Sequence, residues 1–221
     1  MKRSFLLIAL IVLLGAGPVR AAPDDANDRG VEYLKQEKVT QAIDELQKAV
    51  EQNPKDTAGR MNLAYAYERE GRLDEAIYHY EKVLALKPQD AVARNNLGVL
   101  YDKKGLYDEA IGEFEAVLKI DPKNASGPKN LETAKKNQSV IQERERQIVE
   151  ALKAADAQPK DPRASYNVAR LYAHYGKIDQ AIGWLEKALK LGFNDIGYLK
   201  VDSALDSLRN EPDYVWLMRG R

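Results

Sequence analysis

Three blocks of this chain recur at an unbroken spacing of 34 residues. Ala42, Ala76 and Ala110 keep it, as do Pro54, Pro88 and Pro122. Tyr33, Tyr67 and Tyr101 keep it too, and so do Gly30, Ala64 and Gly98. A fixed period means that one supersecondary unit is copied and that each copy buries its apolar face against the next. Units stacked in this way present an extended surface suited to binding.

The spacing within each copy has a physical reading. Small residues (Gly30, Ala64, Gly98, Ala169 and Ala42, Ala76, Ala110, Ala181) mark where two antiparallel helices approach closely. A bulky side chain there would force the helices apart, at a cost of about 1–3 kcal/mol. Tyr67 and Tyr101 are expected to fill the space between one helix pair and the next. Gly71, Gly105 and Gly176 allow the turn between helices, where positive φ is cheap for glycine alone. Asp74, Asp108 and Asp179 stand near the start of each second helix, where a carboxylate suits unpaired N–H groups. The prolines end one copy and permit the next.

The segments 60–88 and 94–122 resemble tetratricopeptide repeats (TPRs). They carry Leu63, Ala64, Tyr67, Gly71, Ala76, Tyr80 and Pro88, then Leu97, Gly98, Tyr101, Gly105, Ala110, Phe114 and Pro122. The first copy departs from the pattern, with Arg29 for its leucine and Glu37 for its turn glycine. A fourth begins near Pro162, with Val168, Ala169, Tyr172, Gly176, Ala181, Leu185 and Ala188. The resemblance implies an all-α fold, a right-handed solenoid of antiparallel helix pairs. Three repeats are expected within residues 22–123 (about 23–56, 57–90 and 91–124) and a fourth at 161–193.

Residues 1–21 have the layout of an exported bacterial signal peptide: Lys2 and Arg3, an apolar run 5–16, and Val19-Arg20-Ala21 before a cleavage point at Ala22. The predicted location is periplasmic or secreted. An uncleaved membrane anchor is the competing reading, but the run falls short of the roughly 20 residues that a spanning helix needs. The chain contains no cysteine, which excludes disulfides, thiol chemistry and a lipid-anchor box. Without residues 1–21 the net charge is −3, since Lys2, Arg3 and Arg20 leave with them. That balance gives no ground for nucleic-acid binding. Charged residues are 31% of the chain with both signs mixed, as solvated outer helix faces require.

The period breaks between 124 and 160, where the proline returns at Pro159, 37 residues after Pro122. Leu131, Ala134, Ile141, Ile148, Leu152 and Ala155 keep helical spacing, interrupted by Gln138 and Glu145. Either 127–157 is one long helix, or it is a degenerate hairpin broken near 137–139. No glycine or proline occurs between Leu131 and Ala157, which favours the long helix. Residues 131–136 could then pack on repeat three as its closing helix. Glu143–Arg146 is a run of alternating charge beside Ile141 and Ile148, a candidate strip for docking or self-association. Residues 194–221 form an expected helical cap, with Leu205 and Leu208 in one short helix and Val215, Trp216 and Leu217 in another starting at Pro212.

The resemblance implies that a partner segment lies on the concave face of the first helices. The side chains it places there are Asn27, Val31 and Leu34, then Met61, Tyr65, Glu68 and Arg69, then Asn95, Val99, Asp102 and Lys103. This mixture of apolar, amide and charged groups suits peptide recognition. Asn62, Asn96 and Asn167 recur at one repeat position. In TPRs that clamp a chaperone's C-terminal carboxylate, such an asparagine works with two lysines, an arginine and a second asparagine. The corresponding places here hold Asn27, Val31, Val92 and Asn96, which argues against that specificity. His79 and His174 lack companions at metal-ligand spacing. No nucleophile–base–acid set is assembled, so the expectation is a non-enzymatic protein without metal or cofactor. Two functional classes follow: an adaptor or scaffold of the bacterial envelope that holds a partner on its first helices, and an assembly subunit that docks or self-associates through 127–157.

Overall fold

The computed structural model describes residues 25–219, which form helices joined by turns. Residues 1–21, the expected signal peptide, lie outside that range. Six helices come first: α1 (Ala26–Lys35), α2 (Val39–Gln52), α3 (Thr57–Glu70), α4 (Leu73–Leu86), α5 (Ala91–Lys103) and α6 (Tyr107–Ile120). They pack as the pairs α1–α2, α3–α4 and α5–α6, and successive pairs join through α2–α3 and α4–α5. After them come α7 (Gly127–Ala157), the pair α8 (Pro162–His174) and α9 (Ile178–Lys190), then α10 (Ile196–Val201), a 3₁₀ helix (Ser203–Leu208) and α11 (Pro212–Met218). The chain divides into two compact units, one ending at Gln138 and one starting at Ser139.

Local chemistry sets the ends of these helices. Gly71, Gly105 and Gly176 turn with φ of +83°, +75° and +71°. Directly after the turn glycine, the amide of Arg72, Leu106 or Lys177 donates back to the carbonyl of Tyr67, Tyr101 or Tyr172, five residues earlier. That bond closes the first helix in each case. Glu37 makes the same turn at φ +59° without being glycine. Aspartates cap the starts of the first helices. Asp56 accepts from the amides of Ala58 and Gly59 at 3.0 Å, Asp90 from Val92 and Ala93, and Asp161 from Arg163. Each follows a proline by two positions, at Pro54, Pro88 and Pro159. After Pro122 the residue in this place is Asn124, whose Oδ1 accepts from Gly127 N at 2.8 Å at the head of α7.

The small-residue positions are where the helices of a pair touch. Ala64, Ala42, Ala76 and Ala110 are fully buried, beside the buried rings of Tyr80 and Phe114. A Cβ on Gly98 would stand 2.7 Å from Phe114 Cε1, and one on Gly30 would stand 2.4 Å from Leu46 Cγ. Tyr67 is buried between pairs, and its hydroxyl is reached from α2 by Gln47 Nε2 at 2.7 Å.

The break in the period is one continuous helix of 31 residues. Carrying the 34-residue register into α7 explains why no hairpin forms. Ser139 takes the place of Gly71 and Gly105, and the left-handed turn is costly for serine. Glu132 and Arg144 take the places of the small residues that let two helices close. Leu131 and Ala134 still pack on Ala110, Phe114, Val99 and Tyr101, so the start of α7 closes unit one.

In unit two, Leu185, Leu199, Leu205, Leu208, Tyr214 and Leu217 join α8 and α9 in one core. Asp202 ties the cap to α8. It accepts from the Tyr166 hydroxyl and from Ala204 N at 2.9 Å. Arg170 Nε lies 2.7 Å from the same carboxylate, off the N–H direction, and supplies charge. Burial opposes this charge, but the Tyr166 and Ala204 bonds and Arg170 outweigh it and hold the carboxyl below its ordinary pKa. One expectation for the cap is corrected. Val215 and Trp216 are exposed, at 40% and 68%, while Tyr214 and Leu217 are buried. Tyr214 and Leu217 are three apart and share a helix face, which turns the residues between them outward.

Candidate functional site

The first helices of unit one, α1, α3 and α5, are bound to one another and to α7 by a ladder of side-chain bonds with a single repeat spacing. Asn62 Nδ2 donates to Asn27 Oδ1 at 2.9 Å, and Lys103 Nζ donates to Glu68 Oε1 at 2.6 Å. Asn130 Nδ2 donates to Asn95 Oδ1 at 2.9 Å, and Asn137 Nδ2 donates to Asp102 Oδ1 at 3.0 Å. Every bond joins residues 35 apart, and in every one the donor is on the later helix. Where the earlier helix has no acceptor, the donor goes elsewhere. Met61 has none, and Asn96 donates instead to the Tyr80 hydroxyl at 3.3 Å. Leu34 has none, and Arg69 turns to the Tyr65 hydroxyl at 3.2 Å and to Glu37 at 3.7 Å.

A second set of bonds ties each second helix to the first helix that follows. Gln47 reaches Tyr67, the Tyr101 hydroxyl donates to Glu81 at 3.1 Å, and Lys135 reaches Glu115 at 3.0 Å, all at a separation of 20. Near the turns, Asp74 meets Lys104 and Asp108 meets Gln138, both at a separation of 30. Together these bonds fix the spacing of the first helices before any partner arrives.

The expected face residues therefore divide by what they do. Asn27, Glu68, Asn95, Asp102 and Lys103 bond from helix to helix. Val31, Tyr65 and Val99 share one register, 34 residues apart, and are half-buried. Met61 and Tyr65 rest on the unit-one core, and Val99 rests on the cluster around Phe114. Arg69 is exposed, with its guanidinium 5.9 Å from the Tyr65 ring centre. The column Asn62, Asn96 and Asn167 stands out in the sequence, but the ladder's donors are Asn62, Lys103, Asn130 and Asn137. The signal was present: amides or a lysine at two repeat positions seven residues apart, with acceptors 35 residues earlier.

The remaining candidates serve packing. His79 stacks on Tyr67 at 5.6 Å between ring centres and meets Tyr78 edge-on. Burial, aided by nearby Arg60, pulls its pKa down to about 4, so it is neutral at pH 7. On α7, Arg146 bonds Glu143 and Glu150 on its own helix. Val140 and Val149 are exposed but nine residues apart, which puts them on opposite sides of α7. Among the described residues no group of three or more histidine, aspartate or glutamate side chains is placed to hold a metal ion.

Paired antiparallel helices at a fixed interval, with first helices laddered side by side, define a helical-repeat scaffold. The chain belongs to the tetratricopeptide repeat family: one family profile matches residues 27–91 and 145–195, more than half of the chain, and a second matches 68–132. Comparison with curated proteins gives no match. Among solved structures, the first TPR domain of human RPAP3 is 24% identical with a TM-score of 0.51, covering 53% of this chain and 93% of that one. The first TPR of Spaghetti (RPAP3), bound to an HSP90 peptide, is 24% identical with a TM-score of 0.50, covering 52% and 90%. A double mutant of MamA RS-1 is 20% identical with a TM-score of 0.50, covering 77% and 96%. These likenesses show the fold.

Proposed function

We propose that this protein is a non-enzymatic adaptor of the bacterial cell envelope that binds an extended segment of a partner protein across α1, α3 and α5. The observation that carries this reading is the ladder. It holds the row Val31, Tyr65 and Val99 at constant register, with Arg69 exposed beside it. A row held in advance spares association much of its ordering cost. The RPAP3 domain binds an HSP90 peptide, but this chain has Val31 and Val92 where a carboxylate clamp would carry polar or basic groups. The segment bound here is therefore read by apolar side chains and by Arg69 rather than by its terminus.

The proposed location is the periplasm, or outside the cell, after removal of residues 1–21, with no lipid anchor because there is no cysteine to carry one. Among the described residues no helix is long and apolar enough to cross a membrane. Crosslinking in the native envelope tests the binding reading. Tyr65→Ala with Arg69→Ala should lose the partner captured by wild type while circular dichroism stays unchanged. Full capture by that variant would end the assignment. Mass measurement of the purified protein tests the location, and an intact residue 1–21 segment would contradict it.

A further inference from the structure

The ladder ends on α7 with its polarity reversed. In α1, α3 and α5 the bonded positions hold oxygen acceptors: Asn27, Glu68, Asn95 and Asp102. Continuing the register by 34 from Asn95 and Asp102 gives Lys129 and Lys136 on α7. Both are exposed, and neither ammonium has a bond or ion pair among the described residues. They are seven residues apart, so they stand on one side of the helix, about 10 Å from each other. Inside the array the matching positions receive donors from the next first helix, whose bonding residues are also seven apart, as Asn130 and Asn137 are. Within unit one no such helix follows, because α7 runs on past Ser139 without a turn.

We propose that Lys129 and Lys136 dock an acidic helix of a partner protein, lying where a further first helix would lie and carrying carboxylates at seven-residue spacing. Charge complementarity selects this occupant. The array's own solution places a helix against each preceding one, and two lysine donors in the acceptor positions call for acceptors on the incoming helix. Exposed ion pairs are individually weak, so recognition depends on both being met in register. The proposal rests on the first-helix side being the recognition face, but it uses a part of that face which the reading above leaves idle.

The test is fluorescence anisotropy with the mature protein. The probe is a labelled alanine-based helical peptide of about 20 residues with glutamate at every seventh position, and a matched peptide carries lysine instead. Wild type should bind the glutamate peptide, and salt should weaken it. Lys129→Glu with Lys136→Glu should lower that affinity roughly tenfold and create binding to the lysine peptide. Both substitutions lie on the surface of an intact helix, so circular dichroism should not change. Equal binding by the double variant would overturn the proposal. So would capture of anionic phospholipid vesicles with the same dependence on the two lysines, because the strip would then serve a lipid surface. Tyr65→Ala should leave the peptide affinity unaltered, and a parallel loss would place the peptide on the Val31–Tyr65–Val99 row and sink the strip. A failed envelope crosslinking test with intact peptide binding would instead remove only the row.

Discussion

At the scale of single residues, similar glycines play opposite parts, and the space around each decides which. Gly98 is pressed against Phe114, so a methyl group there has nowhere to go. Alanine would improve helix propensity by about 1 kcal/mol, but the clash costs about 1–3 kcal/mol. Gly98→Ala should therefore lower stability by about 1 kcal/mol in urea unfolding followed by circular dichroism. Gly112 is also within a helix, but its Cβ would meet nothing within 4 Å. Gly112→Ala should raise stability by about 0.5–1 kcal/mol in the same experiment. The two substitutions share one chemistry and should differ in sign. His79 gives a third residue-scale expectation. Its folded pKa of about 4 lies below the ordinary 6.5, so the unfolded chain binds more protons between those values. The stability it contributes is full above pH 6.5 and is lost as pH falls toward 4. His79→Phe should lose less stability than wild type when thermal unfolding at pH 7 is compared with pH 5. Equal losses would mean that the imidazole is not held neutral.

At the scale of elements, the departures from the repeat pattern are the informative positions. In repeat one, Glu37 holds a left-handed turn that repeats two and three give to glycine. A non-glycine residue there carries about 1–2 kcal/mol of strain, and glycine adds about 0.5–1 kcal/mol of backbone freedom to lose. Glu37→Gly should thus gain about 0.5–1 kcal/mol, less whatever its exposed pair with Arg69 contributes. Arg29 replaces the buried leucine of later repeats and pairs instead with Glu45 at 2.6 Å. Glu32 stands where Ala66 and Leu100 are fully buried, so the first helix of the array shows a polar side in that direction. The repeats, their turns and the close approach of their small residues were legible because each obeys a local rule repeated every 34 residues. The unbroken α7 was legible only in part. Its missing glycine is local, but the reason for its course is that Glu132 and Arg144 occupy contact positions set by packing. The ladder was harder to read, since each bond joins residues 35 apart and no local rule marks the pair. The cap was hardest, because α11 has no repeated partner against which to set its register.

At the scale of the whole molecule, the two units have separate cores. Leu46, Leu63, Tyr67, Tyr80 and Leu97 belong to one, while Tyr166, Leu185, Leu199 and Leu208 belong to the other, and no residue is shared. In repeat proteins stability is close to a sum of local terms and neighbour interfaces, so damage should remain local. Asp202→Asn puts this to the test in unit two. It removes a buried charge that accepts from Tyr166 and Ala204 and faces Arg170, at a cost of about 1–3 kcal/mol. Native-state hydrogen exchange should show faster amides in α8 and α9, with α1 to α6 unchanged. Gly98→Ala should give the converse, faster exchange in α5 and α6 and none of the effect in α9. If either substitution speeds exchange equally in both units, then α7 couples them into a single cooperative fold. The neighbour terms would in that case extend through α7, and the proposed recognition on α1, α3 and α5 would be energetically linked to the Asp202 cap.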